Sequence, residues 1–168
     1  MNINKLNDLD NNSLKTEFLK CCGSDNWAKK LSELKPFNSE KDLFEKSDEI
    51  WNKLEKSDFI EAFSQHPKIG DIDSLAKKFA NTKEWAEGEQ SGVNSASNQI
   101  IMELAESNKL YEEKFGYIFI VCATGKSAKE MLDILKSRID NDQNQELKIA
   151  AEEQNKITKL RLEKLLQS

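Results

Sequence analysis

The chain is poor in the residue types that most often do chemistry in small proteins. It has one histidine, two prolines, six glycines and three cysteines in 168 residues. Only two of its 25 cationic side chains are arginine, Arg138 and Arg161. Each scarcity excludes something. One histidine, no cysteine pair at ligand spacing and dispersed carboxylates leave too few donors for a transition-metal site. Three cysteines, with Cys21 and Cys22 adjacent, make neither a disulfide framework nor a zinc pattern. The expectation is a reduced, cytoplasmic protein in which Cys21 and Cys22 serve packing. No apolar run approaches the roughly 20 residues of a membrane span. Residues 1–5 lack the apolar core of a signal peptide. No basic block offsets the net charge of −5, so nucleic acid is not an expected partner. A small anion remains a possible ligand, since one placed arginine can bind it whatever the global charge.

What is present points to helices. Charged residues make up 33% of the chain and mean hydropathy is −0.71, as amphipathic helices rich in Lys and Glu produce. Leu6, Leu9 and Leu14 open the pattern, with Asp10 to Ser13 as a turn or cap. Gly23 is placed to end a helix in left-handed conformation. Asp25 reads as the cap of a helix carrying Trp27, Leu31 and Leu34, which stops before Pro36. Ser39 caps the next, with Leu43, Ile50, Trp51 and Leu54 inside. Asp58 with Glu61 opens a short helix that ends near Gln65. Val93, Ala96, Ile100, Ile101 and Leu104 read as a helix ending near Asn108, and Tyr111 and Phe115 continue it or pack beside it until Gly116. Ser127 with Glu130 is a capping box, followed by Met131, Leu132, Leu135 and Ile139, which leaves Arg138 on the polar side. A terminal helix over Glu146 to Leu166 places Leu147, Ala151, Ile157, Leu160 and Leu165 inside. Tyr117 to Ala123 looks locally like a strand but has no partner strand, so a buried extended segment or short apolar helix is expected. The fold class is all-α, one compact domain over 1–168 with about seven to nine helices.

The chemistry-bearing stretch is Gln65-His66-Pro67-Lys68-Ile69-Gly70-Asp71. Pro67 disfavours continuing a helix and sets the backbone of the residue before it. An imidazole with an ordinary pKa of about 6.5 exchanges protons near neutrality. His66 at an element boundary is therefore a candidate general acid or base. The plainer alternative is a histidine that merely sits at a helix C-terminus. Glu87-Gly88-Glu89-Gln90 offers a carboxylate beside a carboxamide, enough to read a urea-like edge, or else a solvated helix end. Arg161 borders the apolar stripe of the last helix. A lysine-biased sequence that keeps arginine there suggests bidentate carboxylate binding; an ion pair with a glutamate of the same helix is the alternative. Gly125-Lys126-Ser127 is not a phosphate loop, because Ile120 stands where the first glycine of that motif belongs.

In order and spacing these pieces resemble the 2-oxo-4-hydroxy-4-carboxy-5-ureidoimidazoline (OHCU) decarboxylase family of urate degradation. The matching segments are Cys22-Gly23-Ser24 with Trp27-Ala28, Lys35-Pro36-Phe37, Glu61-Ala62-Phe63 leading to His66-Pro67-Lys68-Ile69-Gly70-Asp71, and Glu89-Gln90-Ser91-Gly92-Val93. Residues 115–127 follow, then Lys156-Ile157-Thr158-Lys159-Leu160-Arg161-Leu162. The resemblance implies an all-helical, cofactor-free carboxy-lyase, commonly a homodimer, that converts OHCU, a small ureidoimidazoline, to (S)-allantoin. It implies that His66 is the catalytic proton donor and Glu89 its acidic partner. Pro67, Glu87, Gly88 and Gln90 would line the substrate, with Val121, Cys122, Ala123, Thr124 and Gly125 contacting its ring and Arg161 binding it. The family often has a serine where this chain has Ala86, which removes one hydroxyl contact. Two alternatives stay open: a lyase for a related heterocyclic carboxylic acid, and a non-catalytic helical interaction module.

Overall fold

The computed structural model describes residues 1–67, 72–79 and 91–168, with the backbone alone for 72, 78, 79 and 91–97. Nine helices and no strand occur among them: α1 (Ile3–Asp8), α2 (Asn11–Cys21), α3 (Asp25–Glu33), α4 (Glu40–Asn52), α5 (Lys56–Ser64), α6 (Ile72–Phe79), α7 (Ser91–Phe115), α8 (Ala128–Arg138) and α9 (Gln143–Gln167). The all-α expectation therefore holds. Two compact units divide the chain, Met1–His66 with Leu147–Ser168, and Pro67–Glu146. No helix among the described residues is long and apolar enough to cross a membrane.

In the first unit α3 packs on α2, α4 and α5. Asp10 caps α2 by accepting from the N–H groups of Asn12 and Ser13, and Ser39 caps α4 by accepting from Asp42. Two starts differ from the sequence reading. Ser24, not Asp25, caps α3, its hydroxyl accepting from Trp27 N at 3.2 Å. The α5 helix begins one turn early, behind Glu55, whose N–H donates to Asp58 Oδ2 at 3.1 Å. Leu14, Phe18, Trp27, Leu31, Leu43, Phe63 and Leu162 are completely buried, each contributing about 1.5–3 kcal/mol of hydrophobic stabilisation. The indoles stay satisfied inside: Trp27 Nε1 donates to Ser47 O and Trp51 Nε1 to Ala151 O.

Gly23 has a different job from the one its position suggests. Positive φ occurs among the described glycines only at Gly116 and Gly125. A Cβ on Gly23 would instead lie 2.4 Å from Cβ and Cγ of Gln65. Glycine is required there for close approach of the α2–α3 joint to the last turn of α5.

The buried face of α9 also differs from expectation. Of Leu147, Ala151, Ile157, Leu160 and Leu165, only Ala151 is buried. Ala150, Gln154, Thr158 and Leu162, at strict four-residue spacing, form the inward row beside Ala151. Two members of that row are polar, which is why counting leucines and isoleucines rotates the helix wrongly.

In the second unit α7 packs on α6 and α8. It runs unbroken to Phe115, and Gly116 at φ +82° stops it. The segment after it is neither helix nor strand, with Tyr117, Ile120 and Val121 buried. The capping box of α8 forms as expected between Ser127 and Glu130.

Arg138 does not lie on the polar side of α8. It is 5% exposed. Its Nε and NH2 donate to Glu146 Oε1 at 2.8 and 2.5 Å, and NH1 donates to Ile120 O at 2.7 Å. The guanidinium lies 4.7 Å from the Phe119 ring centroid. Glu146 is fully buried and also accepts from Tyr111 Oη at 2.5 Å and from Asn141 Nδ2 at 3.1 Å. Burial, then the bond to Glu146, pushes the Tyr111 phenol well above its ordinary range, so it stays a donor. This pair holds the extended segment to the end of α8. Arg138→Lys keeps the charge but cannot make all three bonds. We expect it to destabilise the protein by about 1.5–3 kcal/mol, the usual worth of a charged hydrogen bond, read as a lower urea midpoint at unchanged slope.

Candidate active site

His66 follows Gln65, the C-terminal cap residue of α5. Its N–H donates to Phe63 O at 3.3 Å, which continues the helical turn for one residue before Pro67 stops it. The ring is half-buried and Pro67 is exposed. Imidazole Nε2 lies 2.5 Å from Gln154 Oε1 on α9. Gln154 is fully buried, and its Nε2 donates to Thr158 Oγ1 at 3.2 Å. Thr158 Oγ1 in turn donates to Gln154 O at 3.0 Å.

Burial pushes the Cys22 thiol up to about 11, against the pull of the Ser24 backbone, the Thr158 hydroxyl and the Arg161 charge. Burial likewise pushes Cys21 up to about 12, with the Arg161 charge opposing. Both thiols are protonated at neutral pH, so neither is a nucleophile.

Arg161 stands two turns beyond Gln154 on the same side of α9. It is half-buried, and NH1 donates to Cys21 O at 3.5 Å. That carbonyl belongs to the C-terminal end of α2, where a cation is favoured by the helix dipole. No carboxylate among the described residues pairs with Arg161, so the same-helix ion pair is not formed. Among the described residues one long bond holds the guanidinium, which leaves donors for an anion.

The other expected site residues fall in the second unit or outside the described residues. Val121 is buried, Cys122 and Ala123 are half-buried, and Thr124 and Gly125 are exposed. Gly125 takes φ +74° in the turn, closed by Lys126 N donating to Ala123 O at 3.0 Å. Lys126 Nζ donates to Cys122 O at 2.7 Å. Ala86, Glu87, Gly88, Glu89 and Gln90, with Lys68 to Asp71, lie outside the described residues.

Of the residues expected from sequence, the first unit thus gathers His66 and Arg161 along one face of α9. It adds two that the sequence reading missed, Gln154 and Thr158. Their only signal is that they interrupt a four-residue repeat begun by Ala150 and closed by Leu162. The arrangement supplies a backbone-anchored imidazole for proton transfer and a guanidinium for an anion.

The family model described as OHCU decarboxylase matches residues 7–163. The chain is 40% identical over 149 residues to the uric acid degradation bifunctional protein TTL of Arabidopsis thaliana, covering 89% of this chain and 46% of that protein. It is 26% identical over 176 residues to the uric acid degradation bifunctional protein of Bacillus sp. (strain TB-90), covering 98% of this chain and 32% of that protein. The chain therefore spans less than half the length of these curated relatives. A crystal structure of OHCU decarboxylase in the presence of (S)-allantoin aligns with a TM-score of 0.71 and 38% identity, covering 90% of this chain and 98% of that one. With a match that takes in α2 through most of α9, this chain belongs to the OHCU decarboxylase family.

Proposed function

We propose that this chain is a carboxy-lyase that converts OHCU to (S)-allantoin in urate degradation. One observation carries the reading: His66 and Arg161, a proton-transfer group and an anion-binding group, are both held on one face of α9 in a member of this family. The family match runs through both compact units, which supports treating 1–168 as one functional domain.

The chemistry asks little of the protein. In OHCU the carboxylated carbon bears a hydroxyl and adjoins a C=N bond. When the bond to the carboxylate breaks, its electron pair moves toward that imine and the imine nitrogen takes a proton. Carbon dioxide leaves. The resulting enol-like intermediate then accepts a proton at the neighbouring carbon while its hydroxyl gives one up. The substrate supplies its own electron sink, the task a cofactor would otherwise perform, so the proposed reaction is cofactor-free. What remains is to hold the ring and deliver a proton to one face. His66 is the proposed proton donor and Glu89 its acidic partner. Arg161 binds the anionic substrate. The ring is lined by Pro67, Glu87, Gly88, Gln90 and the backbone of Val121, Cys122, Ala123, Thr124 and Gly125. Ala86 shapes the pocket without the usual hydroxyl.

A homodimer is part of the proposal, and Met102 and Leu110, 57% and 50% exposed on α7, offer apolar surface for one. So is a cytoplasmic location, which the three free cysteines support.

His66→Asn should leave a folded protein with turnover lost, because the ring sits at a helix end and is half-buried. Circular dichroism and a turnover assay on fresh OHCU check this; loss of folding together with activity would mark a structural histidine. Arg161→Lys should raise KM with little effect on stability, since lysine keeps the charge but not the fork of donors. One charged hydrogen bond is worth about 1.5–3 kcal/mol, so kcat/KM should drop about 10- to 100-fold. Lys159, which pairs with Asp48 at 2.8 Å, is the control on the same helix, and Lys159→Ala should leave KM unchanged. Equal, small effects at both positions would remove Arg161 from substrate binding.

A further inference from the structure

We infer that Gln154 is a positioning residue that holds His66 as its Nε2–H tautomer, so that protons pass to and from the substrate at Nδ1. The inference rests on the proposed role of His66 and adds to it which nitrogen does the work. It follows from counting protons along three side chains of the first unit.

Thr158 has one hydroxyl proton. It goes to the Gln154 backbone carbonyl at 3.0 Å. There it points away from the Gln154 carboxamide. Thr158 Oγ1 therefore meets that carboxamide with a lone pair, and the group facing it must be a donor. This fixes the amide: the NH2 faces Thr158 at 3.2 Å, and Oε1 faces His66 Nε2 at 2.5 Å. A carboxamide oxygen only accepts, so Nε2 carries a proton whether the imidazole is neutral or charged. The proton that comes and goes is then the one on Nδ1.

Burial makes the arrangement firm. Gln154 and Thr158 are 0% and 1% exposed, so water does not compete for their bonds. Flipping the amide would set its oxygen against the Thr158 lone pair, two buried acceptors face to face, and leaving such groups unmet is costly. A buried glutamine in the middle of a core-facing row is itself hard to explain as packing, since leucine or methionine fills the space without a polar group.

The chain has one histidine, so in protein made without a histidine tag every imidazole signal belongs to His66. Long-range 1H–15N spectra, recorded where the imidazole is neutral, distinguish the protonated ring nitrogen from the bare one. The expected result is protonated Nε2 and bare Nδ1. The opposite pattern would overturn the inference, whatever the protein turns over. Thr158→Val removes the acceptor that orients the amide and nearly preserves shape. It should give a mixture of tautomers; an unchanged pure Nε2–H signal would show that the threonine does not set the amide. In turnover of fresh OHCU, Gln154→Leu should lower kcat about 10- to 100-fold, as loss of an orienting partner does, at little cost in KM. Gln154→Glu keeps an oxygen toward Nε2 and should keep the tautomer. An unaltered kcat in Gln154→Leu would deny Gln154 a positioning role. Wild-type protein with the expected tautomer but no action on OHCU would instead reject the substrate reading and leave the tautomer assignment standing.

Discussion

There is no room for a side chain at Gly23, and much of the first unit follows from that. Gln65 lies where a Cβ would be, so the joint between α2 and α3 presses directly on the end of α5. The next residue after Gln65 is His66, and the residues before Gly23 are Cys22 and Cys21. The same close approach therefore sets two edges of the candidate site. On one side the imidazole meets Gln154. On the other the last carbonyl of α2 meets Arg161. Helix α9 supplies both answering side chains from one face, with Thr158 between them.

The two arginines show how one residue type serves two physical ends. Arg138 is closed in, with donors bound to Glu146 and Ile120, and its charge is answered inside the unit. Breaking such a buried pair is costly because the carboxylate left behind is desolvated. Arg161 has a single long bond to a carbonyl and no carboxylate among the described residues. A lysine-rich chain keeps arginine where a rigid fork of donors is needed, at Arg138 for the fold and, in the proposed reading, at Arg161 for a ligand.

Much of this was legible in the sequence. Local signals with a short-range cause read well: the caps at Asp10 and Ser39, the Ser127–Glu130 box, the stop at Gly116, the extended segment after it, and His66 stranded between α5 and Pro67. Features set by tertiary contact did not. Gly23 reads as a left-handed helix stop because a glycine after a helix usually is one; its real neighbour, Gln65, is 42 positions away in the chain. Arg138 reads as solvent-facing because charge patterning cannot show that Glu146 is buried beside it. Gln154 and Thr158 hide because polar residues are assigned to the outside by default. Their burial becomes intelligible once the histidine they orient is known.

The central claim is that this scaffold delivers one proton to one face of a decarboxylated ureidoimidazoline. Stereochemistry tests it most directly. Freshly generated OHCU should be followed by circular dichroism with and without the protein. The account predicts faster decay with the protein and a lasting dichroic signal of (S)-allantoin. Decay at the uncatalysed rate, ending in optically silent racemic allantoin, would contradict it.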